Sequence, residues 1–271
     1  MDWPLITSYP WKVSWLLLLF SLGLSIFSSV LAIKAGHLLC GLLGGNVPFP
    51  RFLYIFCLSQ LGRYLPGRVW NVVGFTVLME RESVSKAIAI VFPFLYQGVL
   101  VTLFFLLGVM FCGPLVITKL MPHFTGIFFL ASALLFLIVF SLPMLTRWLH
   151  RFIPFNLPAG GYYTALFILL LSGIVLSVAF FLFLSSLITV SMKDALFIGG
   201  GFLLSYVFGW MVFITPGGVG VREGILGFLL SFLLPSGLSN VLALGARLWV
   251  TISEILLLAG LWFIVGLRRS E

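Results

Sequence analysis

The chain has 271 residues, of which 62% are hydrophobic, 16% aromatic and only 8% charged, with a mean hydropathy of +1.24. Soluble domains carry roughly 25% charged and about 45–50% apolar residues, so this composition excludes a soluble globular protein, a disordered chain, a collagen and a disulfide scaffold. Fifteen Lys and Arg against seven Asp and Glu leave a formal charge of +8, which on a membrane protein belongs to loops facing an anionic leaflet and not to nucleic-acid binding.

What remains is an integral membrane protein. Its apolar runs are continuous rather than alternating in segments of about ten residues, which predicts an all-α polytopic protein and not an outer-membrane barrel. A hydrocarbon core of ~30 Å needs about 20 helical residues. Five segments meet that length, at approximately 13–32, 87–112, 125–142, 162–190 and 238–267. The first begins after an acidic residue, Asp2, and is followed by no small-residue cleavage pattern, so it reads as a retained helix and not a signal peptide.

Two further apolar stretches are interrupted. Residues 50–80 are broken at Leu65-Pro66-Gly67, and residues 194–234 at Thr215-Pro216-Gly217-Gly218-Val219-Gly220. Proline removes a helical hydrogen bond and glycine admits left-handed backbone, so each break predicts a helical hairpin that enters the membrane and returns. The arm 50–64 has 15 residues, about 22 Å of helix and less than a full crossing. Irregular backbone at that depth must be packed in protein or line a wet cavity.

The two stretches align with a shift of 150 residues, which superposes Phe52 on Phe202, Leu53 on Leu203, Pro66 on Pro216, Gly67 on Gly217, Val69 on Val219 and Gly74 on Gly224. A single transmembrane domain with two repeats follows, about 11–112 and 162–267, joined by a connecting helix at 125–142. A hairpin returns to the side it left, so the one connecting crossing inverts the second repeat. The two bends then approach each other near the midplane from opposite faces. One face carries Lys34, Arg51, Arg81, Lys86, Arg147, Arg151, Arg268 and Arg269, and the other Lys12, Lys119 and Lys193. The positive-inside bias makes the richer face cytoplasmic, with the N-terminus outside and the C-terminus inside a cell (inner) membrane.

Four cations and two anions are left at membrane depth: Arg63, Arg68, Arg222 and Arg247 against Glu223 and Glu254. Each costs roughly 2.5–3.5 kcal/mol at a helix centre on insertion scales, and the positive excess calls for a counter-ion. Phosphate fits: arginine binds its oxygens in bidentate fashion, and the backbone N–H groups after Pro66-Gly67 and Pro216-Gly217-Gly218 would sit at helix N-termini. Other readings stand beside this one. Arg63 or Arg68 snorkels to the interface; Arg222 and Glu223 form a structural pair; Glu254 is fixed by Arg247 or Arg222, or carries a proton. Ser59, Gln60, Asn71 and Gln97 either line a cavity or pack between helices. His37, His123 and His150 form no metal-ligand pattern, Cys40, Cys57 and Cys112 lack C-x-x-C spacing, and no phosphate-binding nucleotide loop occurs, so neither metal nor cofactor is expected.

The segments Leu61-Gly62-Arg63-Tyr64-Leu65-Pro66-Gly67-Arg68-Val69-Trp70 and Thr215-Pro216-Gly217-Gly218-Val219-Gly220-Val221-Arg222-Glu223-Gly224 resemble the two signature loops of the lysylphosphatidylglycerol synthase transmembrane-region family. The resemblance implies a helical protein that handles anionic or aminoacylated phospholipids, glycolipids or polyprenyl-phosphate carriers, in some members by moving them between leaflets. Arg222 and Glu223 stand at the family's polar positions after the glycine loop. The soluble aminoacyl-transferase domain of fused members is absent from this sequence, and so is the additional N-terminal helix that members commonly carry. The expectation is a flippase-like transporter and not an enzyme. The alternatives are a membrane-embedded glycosyl or phosphoryl transferase, an ion or small-solute transporter, and a non-transporting partner of a lipid-modifying enzyme.

Overall fold

The computed structural model describes residues 9–64, 69–120, 125–148, 157–212 and 218–267, with side chains except at 63–64, 116–120, 125, 127–129, 147–148 and 264–267. Among them nine α-helices form: α1 (Trp15–Leu42), α2 (Phe49–Gln60), α3 (Val69–Arg81), α4 (Lys86–Leu120), α5 (Thr125–Trp148), α6 (Ala159–Leu187), α7 (Ala195–Met211), α8 (Val221–Leu230) and α9 (Ser236–Leu267). Short 3-10 turns at Leu61–Tyr64 and Met192–Asp194 extend α2 and lead into α7.

Five described helical stretches are long and apolar enough to cross a membrane: Trp15–Leu42, Lys86–Leu115, Ala159–Leu187, Met192–Met211 and Ser236–Phe263. Four match the predicted crossings. The fifth differs, because the 3-10 turn at Met192–Asp194 runs straight into α7 and makes a stretch of 20 residues. The second interrupted stretch is therefore asymmetric, with one arm of crossing length and a returning arm, α8, of only 10 residues. The connecting helix predicted at 125–142 is α5, 24 residues by its backbone, of which Leu130–Thr146 is the described apolar part. In the first stretch the arms are short, α2 having 12 residues and α3 having 13.

Pro93 in α4 and Pro143 in α5 each leave a carbonyl without its helical donor, and a neighbouring helix supplies one. Pro93 has no N–H for the carbonyl four residues earlier, Ala89, and Thr76 Oγ1 of α3 donates to it at 3.3 Å. Pro143 does the same to Val139, whose oxygen accepts the Tyr162 hydroxyl at 2.8 Å. Tyr162 is fully buried, so this bond both satisfies α5 and docks it on α6.

Small residues let the helices approach closely. The buried serines Ser21, Ser25 and Ser28, with Ala35 and Gly36, form one face of α1, and this face meets α6, where the Ser28 hydroxyl donates to the Ser172 carbonyl at 2.8 Å. The two helices are antiparallel: the Ser14 N–H donates to Ser186 O at 2.8 Å at one end, and Gly161 abuts Leu42 at the other. On α7 three consecutive glycines face three neighbours. A Cβ on Gly199 would lie 2.6 Å from Ser177 of α6, one on Gly200 would lie 2.7 Å from Phe111 and 2.9 Å from the Cys112 backbone of α4, and one on Gly201 would lie 3.5 Å from Leu229 of α8. The glycine run puts α7 at the middle of the protein.

The packed helix pairs come in mates. α1 packs on α2 as α6 does on α7; α2 on α3 as α7 on α8; α3 on α4 as α8 on α9. Likewise α4 packs on α7 as α9 does on α2, and α4 on α6 as α9 on α1. Two aromatic clusters form. Phe52 touches Phe56, Phe75 and Phe92 in one, and Phe202 touches Phe180 and Trp249 in the other.

Replacing Gly200 by Ala is expected to lower stability by about 1–3 kcal/mol, as forced overpacking against a backbone does. Gly23→Ala, at a helical position with nothing within 4 Å of the added carbon, is expected to be neutral or stabilising. Thermal unfolding of the two variants in detergent micelles checks the difference.

Candidate functional site

The second glycine segment sets the geometry of the site. Gly218 and Gly220 have φ of +74° and +86°, the left-handed region that glycine enters without strain. A Cβ on Gly218 would stand 2.6 Å from the Gly209 carbonyl, so the returning chain lies directly on the end of α7. Glu223, in the first turn of α8, accepts the Gly220 N–H through Oε2 at 2.7 Å, and its Oε1 is 3.3 Å from an Arg247 guanidinium nitrogen on α9. One carboxylate thus caps α8 and ties it to α9. Both partners of the pair are largely removed from solvent, at 18% and 11% side-chain exposure.

With Glu223 turned towards α9, the adjacent Arg222 points elsewhere, since successive helical side chains diverge by about 100°. Its guanidinium lies 5.0 Å from the ring centre of Phe202 and 5.2 Å from that of Tyr206, one turn apart on α7. Gly209 leaves room for this, because a Cβ there would come within 2.9 Å of Arg222 Cβ.

Arg222 faces a central cavity of about 740 Å³ whose walls come from α1, α2, α4, α6, α7, α8 and α9. That size falls in the range of roughly 300–1,000 Å³ usual for small-molecule sites. Its lining is dominated by apolar side chains such as Ile33, Leu100, Phe104 and Leu257, with a small polar set that includes Gln60, Gln97, Arg222 and Glu254. The hydroxyls on the wall are largely occupied: Ser25 donates to Ser253, Ser28 to Ser172 O, Ser29 to Ser25 O and Thr251 to Arg247 O. Leu61, Ile255 and Trp262 line the cavity and are also 46%, 59% and 70% exposed, so it reaches the outer surface of the bundle where the end of α2 meets α9.

A second cavity of about 150 Å³ adjoins the first and contains Ser59, Asn71, Phe92 and Trp210. Phe56, Gln60, Tyr96, Gln97, Tyr206 and Arg222 line both and form the partition between them. Near it the 3-10 turn after α2 touches the start of α3, since a Cβ on Gly62 would meet the Trp70 and Asn71 backbone at 2.7 Å.

The predicted site residues therefore divide. Arg222 and Glu254 come together in the large cavity, with Gly218 behind Arg222. Glu223 and Arg247 pair with each other, and neither lines the cavity. Seven residues separate Arg247 from Glu254 on α9, about 10 Å of rise, and this puts Arg247 level with the start of α8. Pro66, Gly67, Arg68, Pro216 and Gly217, and the Arg63 side chain, lie outside the described residues. Ser59, Gln60, Asn71 and Gln97 line one or both cavities. Tyr96 and Tyr206 were not anticipated, because a tyrosine within an apolar run carries no signal separating a cavity wall from packing.

Arg247→Met is expected to cost about 1–3 kcal/mol, since it leaves a nearly buried carboxylate with only its capping bond, and Arg247→Lys is expected to recover part of the loss. Urea unfolding in mild detergent measures both. No protein-family model, curated protein sequence or solved structure matches this chain.

Proposed function

We propose that this protein is a flippase-like lipid translocase of the cell (inner) membrane. Its ligand is the phosphate-bearing head of an anionic phospholipid, an aminoacylated lipid, a glycolipid or a polyprenyl-phosphate carrier. The observation that carries the reading is the large cavity itself, in which Arg222 stands among mostly apolar walls between helices of membrane-crossing length. A guanidinium in such a wall favours an anion, and the apolar remainder favours a ligand with a hydrophobic body. A lipid phosphate has both parts. Glu254, on the same lining, would orient the cation or carry a proton.

An inverted-topology repeat with two re-entrant hairpins gives such a site access from both leaflets. Four observations support it. α1 and α6, the first helices of the two halves, are antiparallel, as a two-fold axis in the membrane plane requires. The mated helix pairs exchange when the halves are exchanged. Residues 150 apart share environments: Phe52 and Phe202 are both fully buried in aromatic clusters, Leu53 and Leu203 are both buried, and Val69 and Val219 are both exposed at 64% and 54%. The short arms α2, α3 and α8 suit hairpins that turn back inside the bilayer.

The two motifs that resemble the lysylphosphatidylglycerol synthase transmembrane-region family support the same ligand class. Arg63, Arg68 and the backbone of Pro66-Gly67 and Pro216-Gly217-Gly218 would add to the head-group site. The charged loops support an external N-terminus and a cytoplasmic C-terminus. With no nucleotide-binding loop in the sequence, the driving force is a gradient, a downstream sink or equilibration.

Purified protein in liposomes is expected to move a labelled phosphatidylglycerol between leaflets. Arg222→Gln is expected to slow this about 10- to 100-fold, the worth of a charge-assisted hydrogen bond of roughly 1.5–3 kcal/mol. Equal rates for parent and correctly folded variant would remove the assignment.

A further inference from the structure

Two buried side-chain nitrogens lack any hydrogen-bond partner among the described residues, His37 Nδ1 and Gln97 Nε2. They differ in surroundings. The His37 ring is wedged between Phe49 and Phe52, with its other nitrogen 2.8 Å from Val47 O, and it lines neither cavity. Gln97 lines both cavities, on the partition that also carries Arg222. A primary amide nitrogen can only donate, so what completes it is an acceptor atom. A buried donor left without one is costly, because folding removes its water and returns no partner.

Along α4 the hydroxyls of Tyr96 and Thr102 could accept, and across the cavity the Glu254 carboxylate could, yet none of them is within hydrogen-bond reach of Gln97 Nε2; Thr102 gives its own proton to Gly98 O at 2.8 Å. The acceptor that completes Nε2 therefore comes with whatever enters the cavity. Because Arg222 lines the same two spaces, the acceptor that fits best is an oxygen of an anion lying at the partition.

We infer that Gln97 is a head-group ligand, its Nε2 donating to a phosphoryl oxygen of the lipid while Arg222 meets the charge. This rests on the lipid reading above and adds to it a residue from the other half of the chain, so that the head is held across the pseudo-symmetric partition. From there the hydrocarbon chains follow Leu100 and Leu257 and leave between α2 and α9, past Leu61 and Trp262, into the surrounding lipid.

A role in ligand binding separates from a role in packing by sign. In the empty protein, Gln97→Leu removes a buried unpaired donor and is expected to leave the unfolding temperature unchanged or raise it. The same variant is expected to bind a fluorescent short-chain phosphatidylglycerol in nanodiscs about tenfold more weakly than the parent, and Gln97→Glu, which opposes an anion, more weakly still. Lower stability of Gln97→Leu, or unchanged affinity beside a loss in Arg222→Gln, would overturn the Gln97 assignment and leave the lipid reading standing. No binding by the parent would overturn the lipid reading itself. Inorganic phosphate is expected to compete poorly; if it displaced the probe at equal concentration while Gln97→Leu weakened both, Gln97 would remain a phosphoryl ligand and the lipid would be replaced by free phosphate as its source.

Discussion

A guanidinium inside a bundle of apolar helices costs several kilocalories unless its charge is met, and the arrangement around Arg222 follows from that constraint. The aromatic faces of Phe202 and Tyr206 flank the cation, the glycines at 209, 218 and 220 let the backbone come close enough to place it, and the cavity lies in front. Glu223, next in the chain, is turned away to cap α8 and to hold Arg247. Two arginines of one neighbourhood thus have different duties: Arg247 locks α8 to α9, and Arg222 is presented to the cavity.

That placement depends on packing further away. α7 delivers Phe202, Tyr206 and Gly209, and it can lie at the middle only because Gly199, Gly200 and Gly201 allow α6, α4 and α8 to come against it. Pro93 in α4 and Pro143 in α5 expose carbonyls that Thr76 and Tyr162 take up, which fixes α3 on α4 and α5 on α6. In a bilayer no water is available to do this, so these two freed carbonyls become docking points. The cavity is what the packed helices leave between them: α6 meets α1 and α7 through small residues, while α2 meets α4 through Phe52, Phe56, Phe92 and Tyr96.

Much of this was legible in the sequence, for reasons that can be named. Long apolar runs gave α1, α4, α6 and α9, because hydrocarbon thickness imposes a length that composition reveals. The Pro-Gly interruptions gave the short arms. Arg222 and Glu254 stood out because an ion in an apolar run has few explanations. Other features depended on contacts distant in sequence. Arg247 stood in the sequence as a candidate partner of Glu254, whereas the fold pairs it with Glu223 across α8 and α9. The crossing length of Met192–Met211 was hidden by Lys193 and Asp194, whose charges read as a loop although the backbone is already turning into helix there. Gln97 was visible as a polar residue in an apolar helix, but only the three-dimensional arrangement distinguishes a satisfied amide from one whose donor is unpartnered.

The central claim is that a phosphate-bearing lipid occupies the space in front of Arg222. Native mass spectrometry of protein extracted gently from its own membrane tests it most directly. The account predicts a retained adduct whose fragments include a lipid phosphate, carried by the parent protein and depleted in Arg222→Gln. A spectrum with bare protein alone, or with neutral lipids retained equally by both proteins, would contradict it.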